Sequence, residues 1–192
     1  MRPHLRPPPW RGWLTLIGLV SSLLVTGCGY RLLGSADGRG VTVSVVTLDN
    51  DSVEPGLEIT VTQALRREFL RRAAPRLVTD PGRADFVIRG RVLPIRVRAN
   101  SFDTVSLALE YRVEVTLDLS VEGAAGPDAA SASKIRIDPA ALTESELYLA
   151  SADSEAARKN RAEALRRIAD VLAGRVHDAL GLALASSAAE AS

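Results

Sequence analysis

At 192 residues, with 46% hydrophobic and 24% charged residues, the chain has the size and make-up of one globular domain, which excludes a disordered polymer and a polytopic membrane protein. Its formal charge of +1 excludes the strongly basic surface of a general nucleic-acid binder, so any anion site must be local.

The stretch up to Arg11 is basic and proline-rich, and from Trp13 to Thr26 the chain reads WLTLIGLVSSLLVT without a charge. These 14 residues, interrupted by Gly18, Ser21 and Ser22, fall short of the roughly 20 needed to span a bilayer. They match the hydrophobic region of a signal peptide, over residues 1–27. Val25-Thr26-Gly27-Cys28 follows, an aliphatic residue, two small ones and the chain's single cysteine, and it resembles the lipobox of bacterial lipoprotein precursors. Cleavage between Gly27 and Cys28 with acylation of Cys28 is the expectation. Each buried methylene contributes about 0.8 kcal/mol, and two or more acyl chains hold stably where one does not. A lone cysteine has no internal disulfide partner. An uncleaved anchor and a free thiol are the alternatives. Gly29, where inner-membrane lipoproteins often carry aspartate, favours the outer membrane. Processing removes Arg2, Arg6 and Arg11 and no acid, turning +1 into −2. It also removes both tryptophans, Trp10 and Trp13.

After a lipidated segment over 28–40, Val41–Leu48 alternates Val41, Val43 and Val45 with Thr42 and Ser44, then slips phase at Val46, predicting a strand with a bulge. Pro55 and Glu54 mark a helix start. Leu57, Val61, Ala64, Leu65 and Phe69 form its apolar stripe, and Arg66, Arg67, Arg71 and Arg72 lie mainly outside it. This helix is expected to end near Ala74-Pro75. Asp85–Leu93 predicts a second strand, with Phe86, Ile88 and Val92 on one face and Arg89 and Arg91 on the other. Pro94 interrupts it, so Ile95–Arg98 is expected to continue after a kink with the face assignment reset.

Ser106–Glu122 carries the clearest pattern: Leu107, Leu109, Tyr111, Val113, Val115, Leu117, Leu119 and Val121 alternate with mostly polar residues. One wet and one buried face implies antiparallel pairing. Fully extended, such a strand spans about 50 Å and overhangs its own domain. Gly123–Ser133 reads as a small-residue loop, and Lys134–Ile137 begins a fourth strand that resumes near Glu146–Leu149. Asp153 or Ser154 caps a last helix with the stripe Leu165, Ile168, Ala169, Leu172, Val176, Ala179, Leu180 and Ala183. The order β-α-β-β-β-α predicts an α+β fold. It is a two-layer sandwich with a mixed four-stranded sheet on two helices, one domain over 41–185 and a fraying tail over 186–192.

Catalysis finds little support. After processing one histidine remains, His177, read as a surface helical residue, and the cysteine is the lipid site. The usual zinc sites and nucleophile–base dyads cannot be built from these. No enzyme, metal or cofactor is expected. Arg89, Arg91, Arg96 and Arg98 lie close together, and guanidinium groups suit bidentate recognition of phosphate or carboxylate. They form either a solvated face that discourages edge-to-edge pairing or a contact for an anionic ligand or partner.

CGYRLLG at Cys28–Gly34, VTVSVVTLDNDSVEPGLEITVTQALRREF at Val41–Phe69, ADFVIRGRV and LEYRVEVTLDLSV together resemble the LPS-assembly lipoprotein (LptE) family over essentially the whole mature chain. The resemblance implies a four-stranded sheet on two helices. It also implies a lipid-anchored outer-membrane protein facing the periplasm or seated as a plug within the LptD β-barrel, where it assists barrel assembly and insertion of lipopolysaccharide. Partners would be an LptD-like barrel, lipopolysaccharide and the membrane, with no nucleic acid. A free-standing periplasmic lipoprotein that binds a ligand or peptidoglycan is the competing reading.

Overall fold

In a computed structural model, the described residues are 40–190 except 73, 103, 105–107 and 124–133. The leader, the cleavage point and Cys28 therefore lie outside them, as do Ser106, Leu107 and most of the small-residue loop.

The strands are β1 (Thr42–Val45), β2 (Asp49–Asn50), β3 (Arg76–Leu77), β4 (Phe86–Val92), β5 (Arg96–Phe102), β6 (Ala108–Gly123), β7 (Lys134–Arg136) and β8 (Thr143–Leu149). The helices are α1 (Leu57–Arg72) and α2 (Ser154–Glu190). The sheet is mixed: β1 runs parallel to β3 and β4, whereas β6 is antiparallel to β4, β5, β7 and β8.

The eight strands reduce to the expected four-stranded plan because three of its strands are broken, into β1 and β2, β4 and β5, and β7 and β8, with the two-residue β3 added beside β1. β4 and β5 occupy the same side of β6 in succession. Val92 lies opposite Leu117, but Arg96 lies opposite Glu114, so Leu93-Pro94-Ile95 inserts one extra residue. Pro94 has no N–H to give the ladder. The slip reverses the faces: even residues of β4 face the core, whereas Val97 of β5 sits beside Val113. On the other side of β6, β7 and β8 are separated by a turn at Asp138–Leu142. There the Asp138 carboxylate accepts from Ala140 N–H at 2.9 Å, and Leu142, 1% exposed, plugs the core. β3 was not expected; a two-residue strand has no periodicity to read.

Both helices cover one face of the sheet. Val113, Val115, Leu117 and Leu119 of β6 are fully buried with Val61, Leu65 and Phe69 of α1 and Leu172 and Val176 of α2. Where β1 ends, the Arg66 guanidinium donates to the Val45 carbonyl at 2.8 Å. Thr42 and Asp85 tie the starts of β1 and β4 together, the Asp85 carboxylate accepting from Thr42 N–H and Oγ1 and Asp85 N–H donating to Thr42 Oγ1. Gly90 takes φ +154, and a Cβ there would lie 2.1 Å from the Asp118 carbonyl oxygen and 2.7 Å from Leu119 Cδ2. Its bare backbone lets Leu119 lie across β4. Asp153 caps α2, its carboxylate accepting from Glu155 N–H at 2.8 Å. α2 continues through Glu190, into the 186–192 stretch set apart as the tail.

Candidate functional site

The sheet face turned away from the helices is laced with charge in a pattern set by the register. Strand β6 presents an acid at every fourth position, Glu110, Glu114, Asp118 and Glu122, and the flanking strands supply the cations. All four predicted arginines are exposed here. Arg89 reaches Glu122 at 3.5 Å, Arg91 reaches Asp51 at 3.3 Å and Arg96 reaches Glu114 at 3.2 Å. From the other side Lys134 reaches Glu122 at 2.8 Å and Arg136 reaches Asp118 at 2.9 Å. The hydrogen bond from Lys134 is the main influence holding the Glu122 carboxyl below its ordinary range; desolvation opposes it, and the charges of Lys134 and Arg89 add to it.

Arg98 differs from the other three. It stands directly across from Arg112, and among the described residues it has no carboxylate partner. Like charges opposite one another in a ladder are unfavourable. Arg112 turns aside to Ser145 Oγ at 3.3 Å and Asn100 Oδ1 at 3.4 Å. The structure thus separates the arginines into three held loosely by acids and one left facing a like charge. Exposed pairs of this kind contribute about 0–1 kcal/mol, so the paired arginines are free to exchange partners.

A second cluster, unforeseen in sequence, lies between the helices. Glu68 is 9% exposed and accepts from Arg71 at 2.8 Å and Arg72 at 2.5 Å; Arg72 also reaches Asp178 at 2.5 Å. Burial pushes the Glu68 carboxyl up, but the hydrogen bonds and charges of Arg71 and Arg72 together prevail and hold it below its ordinary value. The available signal was that Glu68 follows Ala64 by four and Leu65 by three, and so extends the buried stripe. Beside it His177 departs from the surface placement expected of it. Its side chain is 12% exposed, its ring centroid lies 5.2 Å from that of Phe69, and Nε2–H donates to the Ala74 carbonyl at 2.9 Å. His177 therefore ties the segment after α1 to α2. A groove of about 510 Å³ opens here along Arg67, Arg71, Asp170 and Gly174, but its charges are mutually satisfied, Arg67 with Asp170 at 2.9 Å included.

Among the described residues there is no group of three metal-ligating side chains and no helix long and apolar enough to cross a membrane. The domain is a two-layer α+β fold with one helix-covered and one charge-laced sheet face. Residues 40–180 match the model of the LptE, lipopolysaccharide-assembly family, and the chain belongs to that family. Among solved structures it is similar to rare lipoprotein B from Shewanella oneidensis, at 13% identity over 72% of this chain and 96% of that one, TM-score 0.49. It is similar to a lipoprotein from Caulobacter crescentus at 16% identity, over 76% and 93% of the two chains, TM-score 0.43. Lipoprotein B from Nitrosomonas europaea is similar at 14% identity, over 71% and 79%, TM-score 0.43. No curated protein matches the chain in sequence.

Proposed function

We propose that this chain is an outer-membrane lipoprotein, cut before Cys28 and lipid-anchored there, that sits as a plug within an LptD-like β-barrel. There it assists barrel assembly and the insertion of lipopolysaccharide into the outer leaflet. The observation that carries this reading is membership of the lipopolysaccharide-assembly family over residues 40–180. The leader and the Val25–Cys28 motif supply the anchor. A domain with one face closed by helices and the other covered in exchangeable ion pairs suits a protein enclosed by a polar barrel wall. The same face meets the phosphates of lipopolysaccharide, with Arg89, Arg91, Arg96 and Arg98 as the contacts, because guanidinium forks bind phosphate bidentately.

Purification in mild detergent tests the plug: a heat-modifiable barrel is expected to accompany the lipoprotein, and recovery of the lipoprotein alone favours a free-standing periplasmic protein. Cys28→Ala is expected to leave an uncut or misprocessed precursor by mass spectrometry; normal maturation removes the anchor from the proposal. Reversing Arg89 and Arg91 to glutamate tests the ligand face without touching β5. A charged hydrogen bond contributes about 1.5–3 kcal/mol, so affinity for lipopolysaccharide is expected to fall at least about tenfold. Unchanged affinity in a variant folded by circular dichroism excludes these two residues.

A further inference from the structure

Among the described residues five strands pair on one side only, β2, β3, β5, β7 and β8, and their edges are finished differently. β2 and β3 are two residues long and β7 three, too short to template another strand. β8 is stapled by α2: Arg175 donates to the Thr143 carbonyl at 2.7 Å and Asn160 to the Leu149 carbonyl at 3.1 Å, one at each end of the strand. Arg175 also pairs with Glu144, and Arg167 with Glu146 at 2.8 Å, pinning β8 further under the helix. β5 has none of this. It pairs with β6 along one side. Among the described residues no strand lies on its other side and no side chain bonds to its backbone.

From Arg96 to Ala99 the β5 ladder is regular, before the bulge at Asn100, and every residue in it is exposed. Alternate residues of an edge strand turn their N–H and C=O groups outward, a ready template for β-augmentation. The side chains flanking this edge select its occupant. One face carries Arg96 and Arg98, with Arg112 behind them on β6. The other carries Val97, 38% exposed, opposite Val113, and Ala99, opposite Tyr111. A second copy of the chain added antiparallel would bring its own arginines into this row, which like-charge repulsion disfavours. An added strand with acidic residues beside Arg96 and Arg98 and apolar ones beside Val97 and Ala99 satisfies both faces and the outward backbone groups together.

We infer that the free edge of β5 is a docking strand for an extended segment of a partner protein that alternates acidic and apolar side chains. This inference stands apart from the lipopolysaccharide reading and requires no lipid ligand. Its test uses the full chain in detergent micelles and two peptides of about eight residues, one alternating glutamate with valine and the other lysine with valine. Fluorescence anisotropy measures binding, and amide hydrogen exchange locates it. The acidic peptide is expected to bind at least about tenfold more tightly than the basic one and to slow exchange within Arg96–Ala99 but not in β8. Arg98→Glu, which sacrifices no carboxylate partner among the described residues, is expected to erase most of that preference. The proposal is overturned if neither peptide binds, if both bind alike, if protection appears elsewhere, or if β5 pairs with a second copy of the chain instead. With no lipopolysaccharide present, such a failure leaves the phosphate-contact test untouched.

Discussion

Strand β6 passes through two environments with one repeating pattern. From Val113 to Val121 its odd residues lie under both helices and are at most 1% exposed. At the other end Leu109, in the same phase, is 50% exposed, and Phe102, at the end of β5 that pairs there, is 60% exposed. Alternation specifies which face is apolar, whereas cover depends on how far the helices reach. α2 closes over Tyr148, which stacks on Tyr111 with centroids 5.6 Å apart; among the described residues no element lies over β5. Stability is therefore concentrated at one end of β6, and uncommitted surface at the other.

The comparison breaks most sharply under a buried charge. Val115→Asp places a carboxylate where exposure is 0%, and it is expected to cost upwards of about 3 kcal/mol. Leu109→Asp, in the same phase of the same strand, is expected to change stability by less than about 0.5 kcal/mol. Denaturant melts of the two variants check this, and similar losses would show that the two ends are not energetically distinct. Gly90→Ala comes next. The new Cβ meets the Asp118 carbonyl at 2.1 Å, backbone that cannot swing away, and φ is strained as well, so a loss of about 2–3 kcal/mol is expected.

These two ends differ in how much of them was legible in the chain. The face, antiparallel pairing and length of β6 followed from the Leu107–Val121 alternation, and the break at Pro94, with the face assignment reset after it, followed from the missing donor. The stripes of both helices and the Asp153 cap were equally local signals. What stayed hidden depends on register or on tertiary reach. That Arg96 meets Glu114 while Arg98 meets Arg112 requires knowing the pairing to the residue. That Glu68 and His177 are covered requires knowing where α1 crosses α2. Two-residue β3 and the stapling of β8 by α2 leave no periodic trace at all. The lipid site, the sharpest reading of the sequence, lies outside the described residues.

The Glu68 cluster sharpens the covered end through pH. Arg71 and Arg72 hold the Glu68 carboxyl below its ordinary value of about 4.5. A carboxylate depressed in the folded state contributes fully above its unfolded pKa, and the contribution fades as pH falls through the folded value. Wild-type stability is thus expected to decline below about pH 4.5. Glu68→Gln is expected to cost about 1 kcal/mol at neutral pH, reduced because the Arg71 end is solvated, and to flatten that part of the acid limb. Melts from pH 3 to 7 check both; an unchanged acid limb in the variant assigns the decline to other carboxylates.

The smallest effect isolates the uncovered end. Arg96 and Arg98 lie two residues apart on one face of β5, yet their partners across the ladder have opposite charge. Arg98→Glu replaces an arginine–arginine contact with a glutamate–arginine pair, and it is expected to raise stability by about 0.2–1 kcal/mol, the range of a cross-strand charge pair. Arg96→Glu gives up Glu114 at 3.2 Å and sets two acids face to face, so the same substitution is expected to lower stability by a similar amount. For a chain of this length, about 0.5 kcal/mol corresponds to a Tm shift of roughly 1–2 °C, so paired melts of both variants against wild type are required. Both sites are solvent-exposed, and the opposed shifts are expected to shrink together in about 1 M salt, where the Debye length is about 3 Å. Shifts of the same sign would mean that the β5–β6 register does not hold at the uncovered end. Opposite shifts that persist in high salt would trace them to packing instead of charge.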